Sequence, residues 1–240
     1  MEDYVVKLIL YGIMFWTMLF LVIRKLLLTH RSFDFSNRLV SIVHACLAVS
    51  LSSLSVEDWR CPVCPLASSS SPSQMRTLGV TVAYLMYDLV CCLFDHNNLK
   101  FDNTIHHLVS ITGLLSGLAY QRCGSEMVAA LWITEISSPF LHLRELLKEL
   151  GYKNTDLNLA ADIVFAVIFT FARMVGGPYL TYVTLSAPNN PFLIKAMALG
   201  LQLVSAFWFY KIARMVIYKL LGRKKRRKAS EKSTITLKNR

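Results

Sequence analysis

Two adjacent histidines, His106 and His107, stand near the start of an apolar run that is long enough to cross a membrane. Ionisable side chains are costly inside a bilayer, and those found there commonly mark a functional site. A histidine can act as a general base on an amine or hydroxyl, or as a nucleophile that carries an acyl group. A nearby carboxylate would orient the ring and stabilise its protonated form. The pair therefore predicts proton-transfer or acyl-transfer chemistry inside the membrane.

Other polar side chains in the apolar runs recur at intervals of three, four or seven residues, which place them on one face of a helix. Five predicted helices each carry such a stripe, and the simplest arrangement turns all five toward one shared cavity. We select Asp88 and Glu135, with the two histidines, as candidates for catalysis. The candidates for ligand binding are His44, Tyr84, Ser138, His142 and Arg173. The stripes comprise Ser41, His44 and Ser52; Tyr84, Tyr87, Asp88, Cys91 and Asp95; Asn103, His106, His107 and Ser110; Glu135, Ser138, Pro139 and His142; and Asp162, Phe169 and Arg173.

Several of these residues also have structural interpretations. A single buried histidine such as His44 is often a packing residue, and His142 lies near a helix end, where its ring could reach the interface. Arg173 could form an ion pair with Asp162 or Glu135. A metal ion is not expected, because adjacent histidines on a helix diverge by about 100° and rarely bind one ion together. No cofactor is expected either, although a cytosolic acyl-CoA could reach the histidine pair as a co-substrate.

The composition is typical of an integral membrane protein. Of the 240 residues, 54% are apolar and 17% are charged, whereas soluble domains average about 25% charged residues. Long apolar runs recur from end to end and predict an all-α integral domain with about seven transmembrane helices. Pro178 is expected to kink or break the sixth helix near its end. The predicted spans are 5–28, 39–56, 78–94, 104–121, 126–143, 159–184 and 192–218.

The net charge of +11 is concentrated in a basic block at residues 223–228, directly after the last span. Cytosolic loops carry an excess of Lys and Arg, so we expect the C-terminus in the cytosol and the N-terminus on the other side. The block would also contact anionic lipid headgroups. Nucleic-acid binding is not expected, because no aromatic residues interleave the charges. Basic residues in the loops assigned to the cytosol are Arg24, Lys25, Arg31, Arg38, Lys100, Arg144, Lys148 and Lys153.

The predicted loop between spans two and three contains Cys61 and Cys64 in a C-x-x-C pattern. No second cysteine or histidine pair lies at the spacing typical of a zinc site. In an oxidising lumen the two cysteines could form a disulfide, and the sequence leaves this open. The first apolar run is too long for the core of a signal peptide, so we expect it to remain as an anchor.

Several motifs occur in a fixed order along nearly the whole chain. They are H-R-S-F-D-F-S-N-R at residues 30–38, Tyr87-Asp88, His106-His107, E-I-S-S-P-F-L at residues 135–141, and Arg173 shortly before Pro178. In this order they resemble the TLC-domain family, which includes ceramide synthases and the translocon-associated TRAM proteins. The E-x-S-x-P-F-L variant and the short chain are most similar to the branch around TLC domain-containing protein 5 and its plant relatives.

The resemblance implies a barrel of six helices around a lipid-facing cavity, with one further helix at the N-terminus. It also implies that His106 and His107 occupy the place of the catalytic histidine doublet of ceramide synthases, with Glu135 in the place of the first acid. The second acid has no counterpart, because Ser138 stands at that position. The implied domains are an N-terminal helix at 1–30, a TLC domain at 31–222 and a basic, flexible cytosolic tail at 223–240.

Two functions are compatible with these observations. The first is a protein that binds a membrane lipid or fatty-acyl ligand in the barrel and influences membrane lipid composition. The second is an acyl-CoA-dependent acyltransferase that uses the histidine pair with Asp88 and Glu135. A seven-span receptor is disfavoured, because the polar stripes face inward. The resemblance favours the endoplasmic reticulum, with the plasma membrane and other endomembranes as alternatives, because no retrieval signal is evident. The sequence sets no oligomeric state.

Overall fold

The computed structural model describes residues 3–94 and 101–238, and within these ranges the chain is helical with a single isolated β-bridge between Ser69 and Arg122. Short π-helical segments follow three of the helices, at Ile23–Leu27, Lys148–Tyr152 and Thr170–Gly176. The helices are α1 Asp3–Val22, α2 Phe33–Ser55, α3 Pro72–Phe94, α4 Phe101–Tyr120, α5 Gly124–Glu135, α6 Ser138–Leu147, α7 Asp156–Phe169, α8 Gly177–Ser186 and α9 Phe192–Lys238.

The predicted fifth span, 126–143, is divided into two helices. α5 ends at Glu135 and α6 begins at Ser138, with Pro139 in its first turn. Proline has no backbone N–H and is tolerated only where a helix begins, so the sequence starts a new helix there. The continuous span that we predicted is therefore wrong, and the break places Glu135 at the end of one helix.

The sixth predicted span continues through Pro178, which lies in the first turn of α8. The helix first widens into the π-helical segment Thr170–Gly176, and then resumes as α8 to Ser186. Segments of this kind are uncommon within helices and frequently accompany functional sites. The change in helix geometry thus precedes the proline and includes Arg173.

Five helical segments are long and apolar enough to cross a membrane: Asp3–Leu26, Phe33–Ser55, Pro72–Phe94, Asp156–Ser186 and Phe192–Tyr218. The other two predicted spans correspond to α4, which carries the histidine pair, and to α5 with α6. Taken singly, α5 and α6 are each shorter than the about 20 residues that a span requires. Seven helical units result, counting α5–α6 and α7–α8 as one unit each. The predicted all-α integral membrane fold is confirmed.

Six of these units form a closed ring. Going round it, α2 contacts α3, α3 contacts α4, α4 contacts α9, α9 contacts α8, and α5–α6 contacts both α7–α8 and α2. A hydrogen bond from Trp132 Nε1 to Ser53 Oγ, 3.1 Å long, joins α5 to α2. The ring is the six-helix barrel that the family resemblance implied.

The first helix lies outside the ring, where it packs chiefly against α3. Its buried side chains include Val5, Ile9 and Trp16, while Tyr11 and Met14 are exposed on the opposite face. A Cβ atom added to Gly12 would lie 2.6 Å from the Cβ of Ala83. Glycine at this point therefore allows the two helix backbones to approach closely, as small residues do between membrane helices.

The two ends of the ring differ. At the basic end, α9 continues toward residues 223–228; at the loop end, residues 56–71 connect α2 to α3. The backbone of α9 is helical as far as Lys238, where we expected a flexible tail at 223–240. Residues 223–229 are mostly Lys and Arg, which favour helix. Residues 239–240 of that predicted tail lie outside the described part of the chain, as do Asp95 and Lys100.

Candidate functional site

A cavity lies inside the ring, bordered mainly by α4, α5, α8 and α9. Polar side chains gather around Arg173, and mostly apolar side chains continue from there toward the loop end, with Thr81, Glu126 and Thr184 as further polar residues of the wall. The polar group comprises His106, Ser110, Thr134, Glu135, Arg173, Gln202 and Ser205. The apolar group includes Leu114, Met127, Ala130, Leu180, Ile194, Met197 and Ala198. This arrangement matches a ligand that has a polar end and an apolar remainder.

The cation of the site is Arg173, whose side chain is only 4% exposed. Its Nη2 donates a hydrogen bond of 2.5 Å to the backbone carbonyl of Thr134. The guanidinium lies 5.1 Å from the ring centre of Phe169 and 5.8 Å from that of Trp208. Its Nε and Nη1 have no hydrogen-bond partner among the described residues.

Two acids were candidates for an ion pair with Arg173. Asp162 is paired elsewhere, with its Oδ1 at 3.3 Å from Nε of Arg144, and Arg144 also contacts Glu145 at 2.9 Å. Glu135 borders the same cavity as Arg173 and directly follows Thr134, whose backbone carbonyl accepts the hydrogen bond from Arg173. The pairing with Asp162 is therefore wrong, and Glu135 is the acid near Arg173.

His106 borders the same cavity and is buried. Its ring centre lies 4.8 Å from that of Trp208, which also contacts Arg173. Within the described part of the chain, its Nδ1 has no hydrogen-bond partner. His106 is thus a buried histidine at the cavity wall whose imidazole has one nitrogen without a partner in the described residues.

His107 points to the other side of α4. Its Nε2 lies 3.2 Å from Oδ2 of Asp88, whose Oδ1 accepts a hydrogen bond of 2.7 Å from Nδ2 of Asn37. The hydroxyl of Tyr87 donates to Oδ1 of Asn37, also over 2.7 Å. We call Asn37, Tyr87, Asp88 and His107 the polar network; it ties α2, α3 and α4 together. The step of about 100° between neighbouring helix residues separates the two histidines.

Asn37 was not among the residues that we selected from the sequence. It belongs to the motif at residues 30–38 and lies one turn before Ser41, so it shares the polar face of α2. The motif and the helical spacing both pointed to Asn37, but it was not selected because its amide is not ionisable. The partner of an amide can be identified only when the helices are placed side by side.

A second, smaller cavity lies beside the polar network near the basic end, and it includes His142 on α6 and Asn103 on α4. Ligand atoms of Asp88, Cys92 and His107 lie within 4.8 Å of one another, so this trio has the donor types and spacing that could hold a metal ion. This group was not predicted from the sequence. The hydrogen bond that Asp88 accepts from Asn37 and its contact with His107 already account for the burial of this carboxylate.

His44 and Tyr84 lie between α1, α2 and α3. Their rings stack with centres 3.6 Å apart, and Trp16 packs edge-on against both, at 5.7 Å from His44 and 5.5 Å from Tyr84. Neither residue is among the described residues that border either cavity already mentioned. The structure thus distributes the predicted stripes over several sites instead of one shared cavity.

The loop end of the cavity is covered by residues 56–71. Cys61 and Cys64 form a disulfide, and Val63 between them packs with Ala129 and Leu180. The backbone N–H of Ala67 donates a hydrogen bond of 2.7 Å to Oε1 of Glu126, which borders the cavity. Arg122 donates to the carbonyl of Ala67 at 3.0 Å. Glu126 was not selected from the sequence, since it follows a loop and resembles a residue of a first helical turn.

Comparison with known proteins agrees with the sequence motifs. The TLC-domain family profile matches residues 34–214. TLC domain-containing protein 4-B of Danio rerio is 29% identical over 229 residues, which cover 86% of this chain and 82% of that protein. A TLC domain-containing protein 4 A of Dictyostelium discoideum is 24% identical over 196 residues, or 77% of this chain and 74% of its own length.

A putative TLC domain-containing protein of Acanthamoeba polyphaga mimivirus is 26% identical over 150 residues, which cover 60% of this chain and 74% of that protein. The proposed closeness to the branch around TLC domain-containing protein 5 stays a prediction, since these relatives do not address it. The family match covers more than half of the chain, including α2 to α8 and most of the membrane part of α9. The chain therefore belongs to the TLC-domain family, whose members are membrane proteins linked to lipid metabolism.

Proposed function

We propose that this protein binds a lipid or fatty-acyl ligand in the cavity inside the ring and thereby influences membrane lipid composition. We place it in the endoplasmic reticulum with its C-terminus in the cytosol, where the basic tail would contact anionic headgroups. The observation that carries the proposal is the polarity of the cavity wall, where His106, Glu135 and Arg173 lie together and the wall beyond them is mostly apolar, apart from Glu126 at the loop end.

The argument rests on what can fill such a space. Apolar side chains along most of the wall favour an alkyl chain, because apolar surfaces gain by excluding water. The buried polar groups of His106 and Arg173 are costly unless a partner satisfies them. A lipid supplies both parts in one molecule, and it can enter from the surrounding bilayer. A wholly polar ligand would leave the apolar wall exposed to water.

The test is to fill the cavity without touching its polar groups. Ala198 borders the cavity, whereas Ala206, on the same helix, is exposed on the outside of the ring. We expect protein carrying Ala198→Phe to lose the lipid that copurifies with the wild type, as measured by mass spectrometry of extracts from purified protein. Protein carrying Ala206→Phe should retain that lipid. Equal lipid content in all three proteins would contradict binding in the cavity.

An acyl-CoA-dependent acyltransferase is the second candidate, and the position of His106 favours it. This histidine borders the cavity, and its buried Nδ1 has no hydrogen-bond partner among the described residues; a nucleophile or general base requires an unpaired nitrogen of this kind. His107, held by Asp88, would then position α4 instead of meeting the substrate. The role of Glu135 would be to stabilise charge near Arg173. Ser138 in place of a second acid weighs against full equivalence with the ceramide synthases.

This alternative is tested by incubating purified protein with acyl-CoA and a panel of long-chain amines and lipid alcohols. If the protein is an acyltransferase of this kind, product forms with the wild type and is lost with His106→Ala, while His107→Ala reduces both folding and turnover. Absence of product with every acceptor would reject the enzyme and leave the lipid-binding proposal in place.

A further inference from the structure

The guanidinium of Arg173 is not satisfied by the protein around it. Arginine carries five N–H donors and no acceptor. Nη2 contacts the carbonyl of Thr134, but Nε and Nη1 have no acceptor among the described residues. Unpaired donors at 4% exposure are costly, and buried polar groups are normally hydrogen-bonded. An acceptor from outside the described residues, such as a ligand oxygen, would complete this site.

Arg144 offers a comparison, because the protein pairs this buried guanidinium with its own acids. Arg144 is also buried, at 8% exposure, and it contacts two acids, Asp162 at 3.3 Å and Glu145 at 2.9 Å. Among the described residues Arg173 has no such contact with an acid, and its guanidinium donates a hydrogen bond to a neutral carbonyl instead. Glu135 lies near enough to offset part of its charge, but it does not accept from Nε or Nη1.

The surroundings of Arg173 hold the guanidinium in place. The rings of Phe169 and Trp208 lie beside it, and the side-chain amide of Gln202 donates a hydrogen bond of 3.3 Å to its backbone carbonyl. Stacking on aromatic rings and planar donation to paired oxygens are properties that arginine has and lysine lacks. The side chain borders the same cavity as His106. Its free donors and its fixed position together suit an anionic group.

We propose that Arg173 recognises the anionic oxygens at the end of a single-chain lipid, a carboxylate or a phosphate monoester, whose alkyl chain extends along the apolar wall toward the loop end. This inference deepens the proposed lipid binding and rests on it. Arginine binds both carboxylate and phosphate oxygens through charge-assisted hydrogen bonds. A fatty acid and a lysophosphatidate share this chemistry, and they differ in the size and charge of the head.

The experiment uses the full chain in nanodiscs of zwitterionic lipid. It measures the binding of three radiolabelled probes that each carry a sixteen-carbon chain: palmitate, palmitoyl-lysophosphatidate and hexadecanol. We expect the wild type to bind at least one anionic probe about tenfold more tightly than hexadecanol, a difference of about 1.4 kcal/mol. Tighter binding of palmitate would identify a carboxylate as the head, and tighter binding of lysophosphatidate would identify a phosphate.

The variants are Arg173→Gln, Arg173→Lys and, as the matched control, Arg144→Lys. Arg173→Gln should weaken binding of the preferred anionic probe about tenfold, and Arg173→Lys should weaken it by a smaller factor because the charge remains. Binding of hexadecanol should not change. Arg144→Lys should leave all three affinities within about twofold of wild type, because its contacts lie outside the described cavity wall.

Three outcomes would overturn either this inference or the lipid-binding proposal on which it rests. Equal affinity of the wild type for hexadecanol and both anionic probes rejects the anionic site, and this result requires no variant to fold. Unchanged affinity of folded Arg173→Gln for the anionic probe rejects the role of Arg173. Absence of binding by the wild type to all three probes rejects lipid binding itself.

Discussion

At the scale of the residue, two neighbouring histidines have different surroundings. His106 borders the cavity with a free ring nitrogen, whereas His107 is held by Asp88 in the polar network. A shared role for the pair would require both rings on one face, and an α-helix separates adjacent side chains by about 100°. The structure therefore places His106 at the cavity wall and His107 in a contact between α4 and α3.

Loss of Asp88 should destabilise the protein more than loss of His106. Asp88→Ala leaves Asn37 and His107 without their buried partner, and breaking a buried charged contact costs about 3–5 kcal/mol. His106→Ala removes a ring that has no hydrogen bond at Nδ1 within the described residues. Thermal unfolding in detergent, followed by tryptophan fluorescence, should show a clearly lower Tm for Asp88→Ala. A lower Tm for His106→Ala than for Asp88→Ala would contradict this division.

The sequence predicted candidate site residues, but not the side chains that each of them contacts. Helical spacing places His106, Glu135 and Arg173 on polar faces, and these three do meet at the cavity. The same reasoning could not separate His44 and Tyr84 from that group, because their neighbour Trp16 comes from a distant helix. Contacts between helices depend on rotation about each axis, which periodicity determines only approximately.

Among the helices, two departures from regular α-helix position the residues of the site. The break before Pro139 ends α5 at Glu135, and the π-helical segment Thr170–Gly176 contains Arg173. Pro139 gave a direct signal for the first, since proline favours the first turn of a helix. The π-helical segment has no such signal, because its sequence is compatible with an ordinary helix. Packing against α5 and α9 was needed to reveal it.

A methyl group at Gly12 should loosen the contact between α1 and α3. Its Cβ would lie 2.6 Å from the Cβ of Ala83, so Gly12→Ala requires a backbone shift that costs about 1–3 kcal/mol. Gly200→Ala is the control, because the nearest atom, Cγ1 of Val109, lies at an ordinary 3.5 Å. Thermal unfolding of the two purified variants measures the difference. The packing of α1 is refuted if Gly12→Ala is at least as stable as Gly200→Ala.

At the scale of the whole molecule, the ring encloses the cavity and the first helix braces it from outside. Composition and apolar runs were sufficient to predict an all-α membrane protein, and motif order predicted the family. The resemblance implied the six-helix barrel, but the order of the helices around it came from the structure, since single-sequence patterns contain no information on which helices are neighbours. The loop end, with its disulfide and its contact to Glu126, depends on contacts distant in sequence.

The orientation of the ring is tested by glycosylation. We expect an acceptor site inserted in the loop at 65–70 to be modified in microsomes, because the basic tail should hold the other end in the cytosol. An acceptor site inserted at 153–155, between α6 and α7, serves as the opposite control and should stay unmodified. Mobility on gels before and after deglycosylation gives the answer. Modification at the second position and not the first would reverse the proposed topology.

The most direct test of lipid binding inside the ring is photocrosslinking in the membrane. A fatty acid with a photoreactive diazirine near the end of its chain would be incorporated into cells that produce the protein, and crosslinked residues would be located by mass spectrometry. Binding as proposed predicts adducts on the cavity wall near Ala130, Leu180 and Ala198. Adducts confined to the outer face, at exposed residues such as Tyr11 and Phe207, would contradict it.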